Sequence, residues 1–364
     1  MSKKGWNITP LPPKVDLNTP EVLKKSNVAN RYLAELKGVY ASIPNQGILI
    51  NILALQEAKD SSEIENIITT HDALFKADLF EEYIADAATK EVRDYAEALR
   101  LGYKLIKSDY MLTERHILNL QEIIESNRAG FRKLPGTELK NPVTNDTIFI
   151  PPQSEEEIKQ GMRNLVAYIN DDSLSNVDDL IKMAIIHYQF ESIHPFYDGN
   201  GRTGRIINIL YLVLKGLLDI PVLYLSRYII QNKREYYRLL QLVRTDEAWH
   251  EWVLYMLEGV TQTSKQTLKM INEMRVLIMD YKHQIRDKYK FYSQDLINHL
   301  FRHPYTKINH FRKDLDIHRL TAQKYLDHLA EGGFLEKVKI GRSYYYVNVP
   351  LYNLLAYPPK VSMQ

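Results

Sequence analysis

The chain has 364 residues, of which 45% are hydrophobic and 25% are charged, and its net charge is +2 at pH 7. These values predict a soluble globular protein of two or three domains, without a general attraction to nucleic acid or membranes. The absence of cysteine excludes disulfides, thiolate nucleophiles and zinc–thiolate sites, and without an apolar leader or a run of about 18 apolar residues we expect a cytoplasmic protein.

The N-terminal part is predicted to form an extended arm followed by helices. Four prolines within residues 1–20 disfavour a regular element and indicate an arm that lies across the surface. From Glu21 to about Lys107, apolar residues recur at helical spacing. Residues 60–66 end the first block of helices, and Ser62 and Glu65 form the S-x-x-E pattern of a capping box.

The next segment combines helices with one excursion of β character. Lys104–Glu125 is predicted as a helix, with Asp109 or Thr113 near a start. Residues 128–152 are rich in Gly, Pro, Thr and Asn and contain a β-branched run at 147–150, which predicts a β-hairpin, with an ordinary surface excursion as the alternative. Ser154–Ile169 is predicted as a helix that Ser154 caps.

The most informative stretch is His194–Arg205, which has the sequence HPFYDGNGRTGR. Apolar residues at helical spacing precede it in Val177–Phe190, and an almost wholly apolar segment follows it in Ile206–Leu218. Pro195 and the Gly-Asn-Gly triplet interrupt the pattern between the two segments. We therefore predict a helix, a tight loop and a buried second helix that begins near Gly201.

The backbone and the arginines of this stretch suit the binding of a triphosphate. The N-terminus of the second helix directs free N–H groups and its positive dipole end at the loop. Gly199 and Gly201 let the backbone turn further N–H groups inward. Arg202 and Arg205 lie three residues apart on the new helix, and each can fork onto phosphate oxygens. An anion is therefore expected here.

Two other side chains supply reactive chemistry. Asp198 is a hard oxygen ligand suited to Mg²⁺, and His194, with a reference pKa of about 6.5, is a natural general base. Structural alternatives exist, because a histidine before proline is usually structural, an aspartate before glycine is often a turn residue, and the arginines could simply be solvated. The match of residues 199–204 to G-x-G-x-x-G is weak without a preceding strand, and His194 and Asp198 lack a third metal ligand nearby.

At these residues the chain resembles the Fic (filamentation induced by cAMP) family, whose signature H-P-F-x-D/E-G-N-G-R-x-x-R is matched by His194–Arg205 without departure. The resemblance, which covers about residues 30–285, implies transfer of AMP from ATP to a Ser, Thr or Tyr hydroxyl of a protein. It implies His194 as the base, Asp198 as the Mg²⁺ ligand and Arg205 as the γ-phosphate ligand. The further nucleotide-binding residues that it implies are Gly199, Asn200, Gly201, Arg202, Thr203 and Gly204.

The resemblance also gives residues 61–66 a second interpretation. Ser61, Glu65 and Asn66 match S/T-x-x-x-E-G/N, the motif of an inhibitory helix in many Fic proteins. Glu65 is then expected to pair with Arg205 and to remove the γ-phosphate ligand, because a carboxylate competes with phosphate for the same guanidinium. This interpretation is compatible with the capping box, since one side chain can cap in one state and block in another.

Two more features take an interpretation from the family. A hairpin called the flap precedes the signature in Fic proteins and registers the target segment by main-chain pairing; Pro151 and Pro152 fit its exit, and its register stays open. After the signature, Tyr236 resembles a position at which a tyrosine touches the nucleotide. Because Tyr236 and Tyr237 point to different faces of a helix, a core position is the alternative.

The C-terminal part is predicted as a separate unit that follows a long amphipathic helix, Thr261–Lys288, and a linker near Tyr289–Ser293. Its predicted helices and strands are Asp295–Arg302, Ile308–Leu315, His318–Glu331, Phe334–Ile340 and Ser343–Val349. This order is typical of a winged helix. The exposed residues expected on its recognition helix are Arg319, Gln323, Lys324 and His328. Nine basic and six acidic residues in 293–349 favour DNA contact only weakly, against protein contact or dimer packing.

We therefore predict a mainly α-helical protein of three parts: an N-terminal arm and helical region at 1–105, a Fic-type core with a β-hairpin flap at 106–288, and a winged-helix domain at 289–364. The predicted function is a protein adenylyltransferase that uses ATP and Mg²⁺, is restrained by Glu65, and modifies a hydroxyl side chain of a target or of itself. A homodimer is an expected assembly, and no membrane partner is expected. The alternatives are AMP removal or another transfer reaction, and a DNA-binding regulator whose core senses ATP.

Overall fold

The computed structural model describes residues 5–41, 43, 46–79, 84, 86–140, 144–340 and 343–357. They form a mainly α-helical protein, which confirms the predicted class. The helices are α1 (Pro20–Tyr40), α2 (Gln46–Ile64), α3 (His71–Leu79), α4 (Ala87–Asp109), α5 (Glu114–Glu125), α6 (Glu155–Asn170), α7 (Asp179–Ile193), α8 (Asn200–Leu214), α9 (Ser226–Gln231), α10 (Lys233–Asp246), α11 (Trp249–Lys288), α12 (Gln294–Arg302), α13 (Ile308–Leu315), α14 (Arg319–Glu331) and α15 (Val349–Ala356). The strands are β1 (Leu139–Lys140), β2 (Thr147–Phe149), β3 (Tyr305–Thr306), β4 (Glu336–Ile340) and β5 (Ser343–Val347).

The proline-rich arm is extended and packs against the protein, as its composition predicts. Leu11 and Leu17 are buried, and the N–H of Trp6 donates to the carbonyl of Ile150 at 2.8 Å. The arm ends at Thr19, whose side chain caps α1 by accepting from the N–H of Val22. The arm therefore runs alongside the exit of the β-hairpin before the first helix begins.

Helices α7 and α8 form the centre of the core. Every residue of α7 from Leu180 to Ile193 is buried, and α8 is buried along almost its whole length. The two helices pack against each other, with α6 and α11 also against α7 and α4 and α5 against α8. Because neighbouring helices surround α7 and α8 on almost all sides, they fix the positions of the two ends between which the α7–α8 loop runs.

Two predictions in the N-terminal region need correction. Helix α2 ends at Ile64, within the predicted end of the first helical block, but the Ser62 carbonyl accepts from the N–H of Glu65 at 3.0 Å and the capping box does not form. The predicted helix Lys104–Glu125 is two helices, because Tyr110 adopts a left-handed conformation (φ 53°) after α4 and Thr113 caps α5. S-x-x-E is a local pattern, and tertiary contacts decide here whether a helix starts or stops.

The predicted hairpin is present. Strands β1 and β2 pair antiparallel, with Leu139 opposite Phe149 and Lys140 opposite Thr147, and an irregularity shifts the register between the two pairs. Part of the connecting segment, residues 141–143, lies outside the described residues. Phe149 faces inward, where its ring contacts that of Trp6 at a centroid distance of 5.9 Å.

The described part of the C-terminal unit has the three helices α12, α13 and α14 and a small antiparallel sheet of order β3-β5-β4, as a winged helix requires, and a fourth helix, α15, follows the sheet. Strand β3 and helix α15 lack a local pattern strong enough to predict them. The 40-residue helix α11 runs into this unit, where the ring of Tyr281 contacts those of Phe301 and Phe334. Helix α12 packs on α2, and the Gln56 side chain donates to the carbonyl of Leu355 at 2.7 Å.

The recognition-helix residues differ in exposure. Arg319, Gln323 and Lys324 are exposed on α14, as predicted, but His328 is half-buried beside the rings of Tyr289 and Phe291. Among the helices of the described residues, none combines the length and the apolar character needed to cross a membrane.

Candidate functional site

The loop between α7 and α8 has the predicted helix–loop–helix form. His194 follows α7 directly in a left-handed conformation (φ 49°, ψ 59°), and its N–H donates to the carbonyl of Phe190. Helix α8 begins at Asn200. The preceding Gly199 has φ 78°, a left-handed conformation that favours glycine at this position. The N–H groups of the first turn of α8 have no acceptor one turn earlier in the helix, so this end suits an anion.

The side chain of Asn200 holds the loop together. Its carbonyl oxygen accepts from the N–H of Phe196, and its amide donates back to the carbonyl of Phe196, both at 2.8 Å. The Phe196 ring is buried against Phe131 and Phe190. The Asn200 side chain therefore shapes the loop, and its backbone N–H stays the predicted phosphate contact.

A buried arginine outside the signature fixes the position of His194. Arg132 donates from Nε to the carbonyl of His194 at 2.7 Å and from Nη2 to the carbonyl of Pro152 at 2.8 Å. Its own N–H donates to the carbonyl of Pro195 at 2.8 Å. Arg132 was not among the predicted site residues. The sequence marks it only as a charged residue within the turn-rich stretch before the hairpin.

The His194 imidazole is held in its neutral form. Burial, together with the positive charges of Arg132 and Arg244, lowers the pKa of His194 to about 3, and a hydrogen bond to the backbone of Glu191 acts in the opposite direction. Its Nδ1 is buried, so Nε2 is the nitrogen left to face the loop. A neutral imidazole near pH 7 is the form that can accept a proton.

Asp198 is exposed at the mouth of the loop. One carboxylate oxygen accepts from the N–H of Gly199 at 2.7 Å. Among the described residues, no group of three or more His, Asp or Glu side chains is arranged to hold a metal. An exposed carboxylate is a suitable Mg²⁺ ligand, but a magnesium ion at Asp198 would need phosphate oxygens and water to complete its octahedron.

Arg205 is buried and bound to the end of α2, a segment 140 to 144 residues away in sequence. Its Nη2 contacts the Glu65 carboxylate at 2.9 Å, and its Nε donates to the Ser61 hydroxyl at 2.7 Å. Burial lowers the pKa of Arg205, but the charges of Glu65 and Glu191 outweigh it and leave the pKa above its ordinary value. The sequence thus predicted this pair correctly from the family motif.

Arg202 is buried and bound by two carboxylates. Its Nη2 contacts Glu125 at 2.6 Å and its Nη1 contacts Glu91 at 3.1 Å, and only 3% of the side chain is exposed. The role of Arg202 as a phosphate ligand stays a prediction, and in this structure its guanidinium is occupied by these two side chains. Glu91 and Glu125 were missed, because nothing in α4 or α5 marks them as partners of a residue far along the chain.

Three other predicted ligands lie at different depths. A side chain on Gly201 would collide with Glu65, which lies 2.3 Å from the position of a Cβ. Gly201 therefore lines the anion site in front of the first turn of α8, which we call the cradle. Thr203 is buried, and a Cβ on Gly204 would meet Glu191 at 2.6 Å and Phe190 at 2.9 Å. Thr203 and Gly204 therefore pack α8 into the core and do not face the cradle.

Of the two adjacent tyrosines, Tyr236 is the core residue. It is 1% exposed, and its hydroxyl bonds to Nε2 of His187 at 2.9 Å. Tyr237 is 45% exposed and lies close enough to Glu65 and Arg205 for their charges to affect its titration. The alternative held open in the sequence analysis is therefore correct for Tyr236, and Tyr237 is the tyrosine accessible beside the cradle.

Family models match three successive segments of the chain. Residues 23–104 match the Fic/DOC family N-terminal model and residues 111–212 match the Fic/DOC family model. Residues 277–351 match the C-terminal domain of SoFic-like protein adenylyltransferases. The fold and the signature loop thus define a Fic-domain protein. The chain belongs to the Fic/DOC family, and its C-terminal segment matches the SoFic-like C-terminal domain.

Curated relatives share a limited part of their sequence with this chain. Protein adenylyltransferase fic-1 of Caenorhabditis elegans is 25% identical over 157 residues, which are 42% of this chain and 30% of the nematode protein. A probable protein adenylyltransferase of Aquifex aeolicus is 28% identical over 182 residues, which are 50% of this chain and 54% of the relative. The chain thus spans about a third to a half of these relatives.

Solved structures share the fold. A Fic family protein from Desulfovibrio desulfuricans has a TM-score of 0.56 at 19% identity and covers 92% of this chain and 98% of its own. Residues 134–508 of Fic-1 from C. elegans give a TM-score of 0.54 at 19% identity over 71% of this chain and 75% of the nematode chain. At these identities the likeness supports the architecture alone.

Proposed function

We propose that this chain is a protein adenylyltransferase that moves AMP from ATP to a hydroxyl group of a protein. The observation that carries the proposal is the convergence at one loop of a neutral imidazole, an exposed carboxylate and the N-terminus of α8. Relatives named protein adenylyltransferases match the segment that contains this loop. The activity assigned to them is thereby extended to this chain.

The reaction divides among residues of the loop. His194 accepts the proton of the attacking hydroxyl while the hydroxyl oxygen forms a bond to the α-phosphorus. The bond from that phosphorus to the bridging oxygen of the β-phosphate breaks, and pyrophosphate leaves. The first-turn N–H groups of α8 stabilise the developing negative charge. Asp198 would hold Mg²⁺, which supplies charge neutralisation on the phosphates when it is bound.

The low pKa of His194 suits a resting enzyme. A bound triphosphate brings negative charge near the imidazole, and negative charge raises the pKa of a histidine. The base therefore strengthens when the substrate arrives and stays neutral without it. Arg132 supports this role because its contact with the His194 carbonyl fixes where the ring can point.

Autoinhibition is the second part of the proposal. Glu65 contacts the Arg205 guanidinium at 2.9 Å and also lies against Gly201, so it occupies both the cation and the helix end that a γ-phosphate would use. ATP has to displace this carboxylate to reach Arg205. We infer a weakly active resting state that Glu65 controls.

The test is intact-mass analysis of the purified full chain incubated with ATP and Mg²⁺, alone and with a cell extract as a source of targets. One added AMP per modified hydroxyl is expected, with more product for Glu65→Gly and none for His194→Ala. Parallel incubations with UTP, CTP and an AMP-modified protein separate AMP transfer from the other transfer reactions and from AMP removal. No adduct with ATP for either the parent chain or Glu65→Gly would overturn the proposal.

The winged helix is proposed to contact protein rather than DNA, including a second copy of this chain. Its exposed helix face carries Arg319, Gln323 and Lys324 but also Leu320, which is 70% exposed. This leucine lies in the first turn of α14 beside Arg319, where an apolar side chain favours contact with a protein over contact with phosphate. Sedimentation of the full chain and of Leu320→Ser tests self-association, and salt-sensitive retention of a labelled DNA fragment would favour the DNA alternative.

A further inference from the structure

We propose that Glu125, supported by Glu91, is a positioning residue that clamps Arg202 and thereby fixes the first turn of α8. This inference rests on the proposed transfer reaction, whose phosphate site that turn would form. Arg202 then acts as the anchor of the cradle, and Arg205 is the arginine available to the triphosphate.

The clamp is a three-residue ion cluster. The Arg202 guanidinium contacts Glu125 at 2.6 Å and Glu91 at 3.1 Å, and the side chain of Glu125 is only 13% exposed. Two carboxylates on one guanidinium leave an excess negative charge, to which Asp198 adds from the neighbouring loop. A phosphate that approached Arg202 would meet this excess, so Arg202 is poorly suited to bind it.

Glu125 also lies beside the other end of the same turn. Its Oε1 lies 2.6 Å from the position that a Cβ would take on Gly199, the residue that precedes α8 with φ 78°, so a side chain at this position would collide with the carboxylate. One carboxylate therefore lies beside Gly199 and binds Arg202. Between these two residues lie Asn200 and Gly201, whose backbone N–H groups belong to the anion site. A shift of Glu125 would change the direction of those N–H groups.

The two arginines of the signature differ in their partners. Arg205 is bound by Glu65, which follows the last residue of α2 and is 35% exposed, so a competitor can displace it. Arg202 is bound by residues within α4 and α5, which pack on α8 and on each other. The contact between Glu65 and Arg205 can therefore be displaced by a ligand, and we call it the lock. The contacts of Arg202 belong to the packing of α4, α5 and α8.

The kinetic test uses the full chain with Glu65→Gly, so that transfer is measured without the lock. We compare Glu125→Gln, Arg202→Gln and the double variant, with Glu122→Gln as the control, because Glu122 is on the same helix and pairs with the exposed Arg128 instead. If misplacement of the turn costs rate, each clamp variant lowers kcat by about 10-fold and changes KM for ATP less than about twofold. The double variant is expected to be no slower than the slower single variant.

Conservative replacements sharpen the result. Arg202→Lys keeps the charge but lacks the rigid, planar fork of donors that holds Glu125 and Glu91 at once, so it should be as slow as Arg202→Gln if the clamp is correct. Substantial rescue by lysine, or a large rise in KM with additive effects in the double variant, would identify Arg202 as a phosphate ligand and overturn the inference. A gain in kcat for Glu125→Gln would identify Glu125 as a blocking residue instead.

A second measurement separates this inference from the proposed reaction. Calorimetric titration with ATP and a thermal-unfolding double-mutant cycle require no transfer. If the chain transfers no AMP, coupling between Glu125 and Arg202 in unfolding, together with an ATP affinity that changes less than about twofold in both variants, still supports the clamp. Absence of coupling refutes it. Glu91→Gln, at a position 41% exposed, tests the same contact with less risk of unfolding.

Discussion

Replacement of Glu65 by glycine is expected to activate the protein. The Glu65 carboxylate makes one contact of 2.9 Å with Arg205, while the Ser61 hydroxyl and carbonyl hold the same guanidinium at 2.7 and 2.9 Å. Removal of the Glu65 side chain therefore leaves a donor of the Arg205 guanidinium available to ATP, while the two contacts with Ser61 still hold the arginine in place. A hydrogen bond to a charged group contributes about 1.5–3 kcal/mol, and ATP no longer has to displace it.

That free energy corresponds to an increase of about 10- to 100-fold in apparent ATP affinity or in transfer rate at low ATP. Calorimetric titration with ATP and initial rates of self-modification measure the two quantities. Glu65→Gln should give an intermediate effect, because it keeps an acceptor and loses the charge. Glu63→Gln is the matched control, since Glu63 lies in the same turn and pairs with Lys59. Unchanged affinity and rate in Glu65→Gly would refute the reasoning.

The other predictions concern the loop and its supports. His194→Ala should abolish transfer while calorimetry still detects ATP binding, and residual transfer at the parent rate would exclude His194 as the base. Asp198→Asn should raise the Mg²⁺ concentration required for half-maximal rate by at least about 10-fold, measured by metal titration. Arg132→Met should lower the free energy of unfolding by about 3 kcal/mol in urea, because buried carbonyls lose their donors. Burial lowers the pKa of His187 to about 3, so the neutral form of His187 contributes fully to stability above pH 6.5, and this contribution is lost as the pH falls towards 3. The free energy of unfolding should therefore fall by about 2 kcal/mol between pH 7 and pH 5. In His187→Gln the pH dependence of the unfolding free energy should be weaker over this range.

The local parts of this structure could be predicted from the sequence. Apolar periodicity located the helices around the signature, and the glycines and Pro195 located the loop between α7 and α8. The Glu65–Arg205 pair followed from a family motif, because spacing alone could not connect residues 140 positions apart.

The errors and omissions have a common physical origin. The S-x-x-E pattern at Ser62 permits a helix start, but packing of α2 against α4 and α9 places it at a helix end. Arg132 and Glu125 escaped notice because their partners lie 62 and 77 residues away. The partners of Arg202 and the burial of Tyr236 could not be predicted, because position in a motif does not specify which way a side chain points.

The length of α11 has a mechanical consequence. At a rise of about 1.5 Å per residue, its 40 residues form a rod of about 60 Å without a joint, which packs on α1 at one part and carries the rings of the winged helix at another. The same C-terminal unit presses on α2 through α12 and the carbonyl of Leu355. The winged helix is therefore joined by packing and by one buried hydrogen bond to α2, the helix that ends beside Glu65.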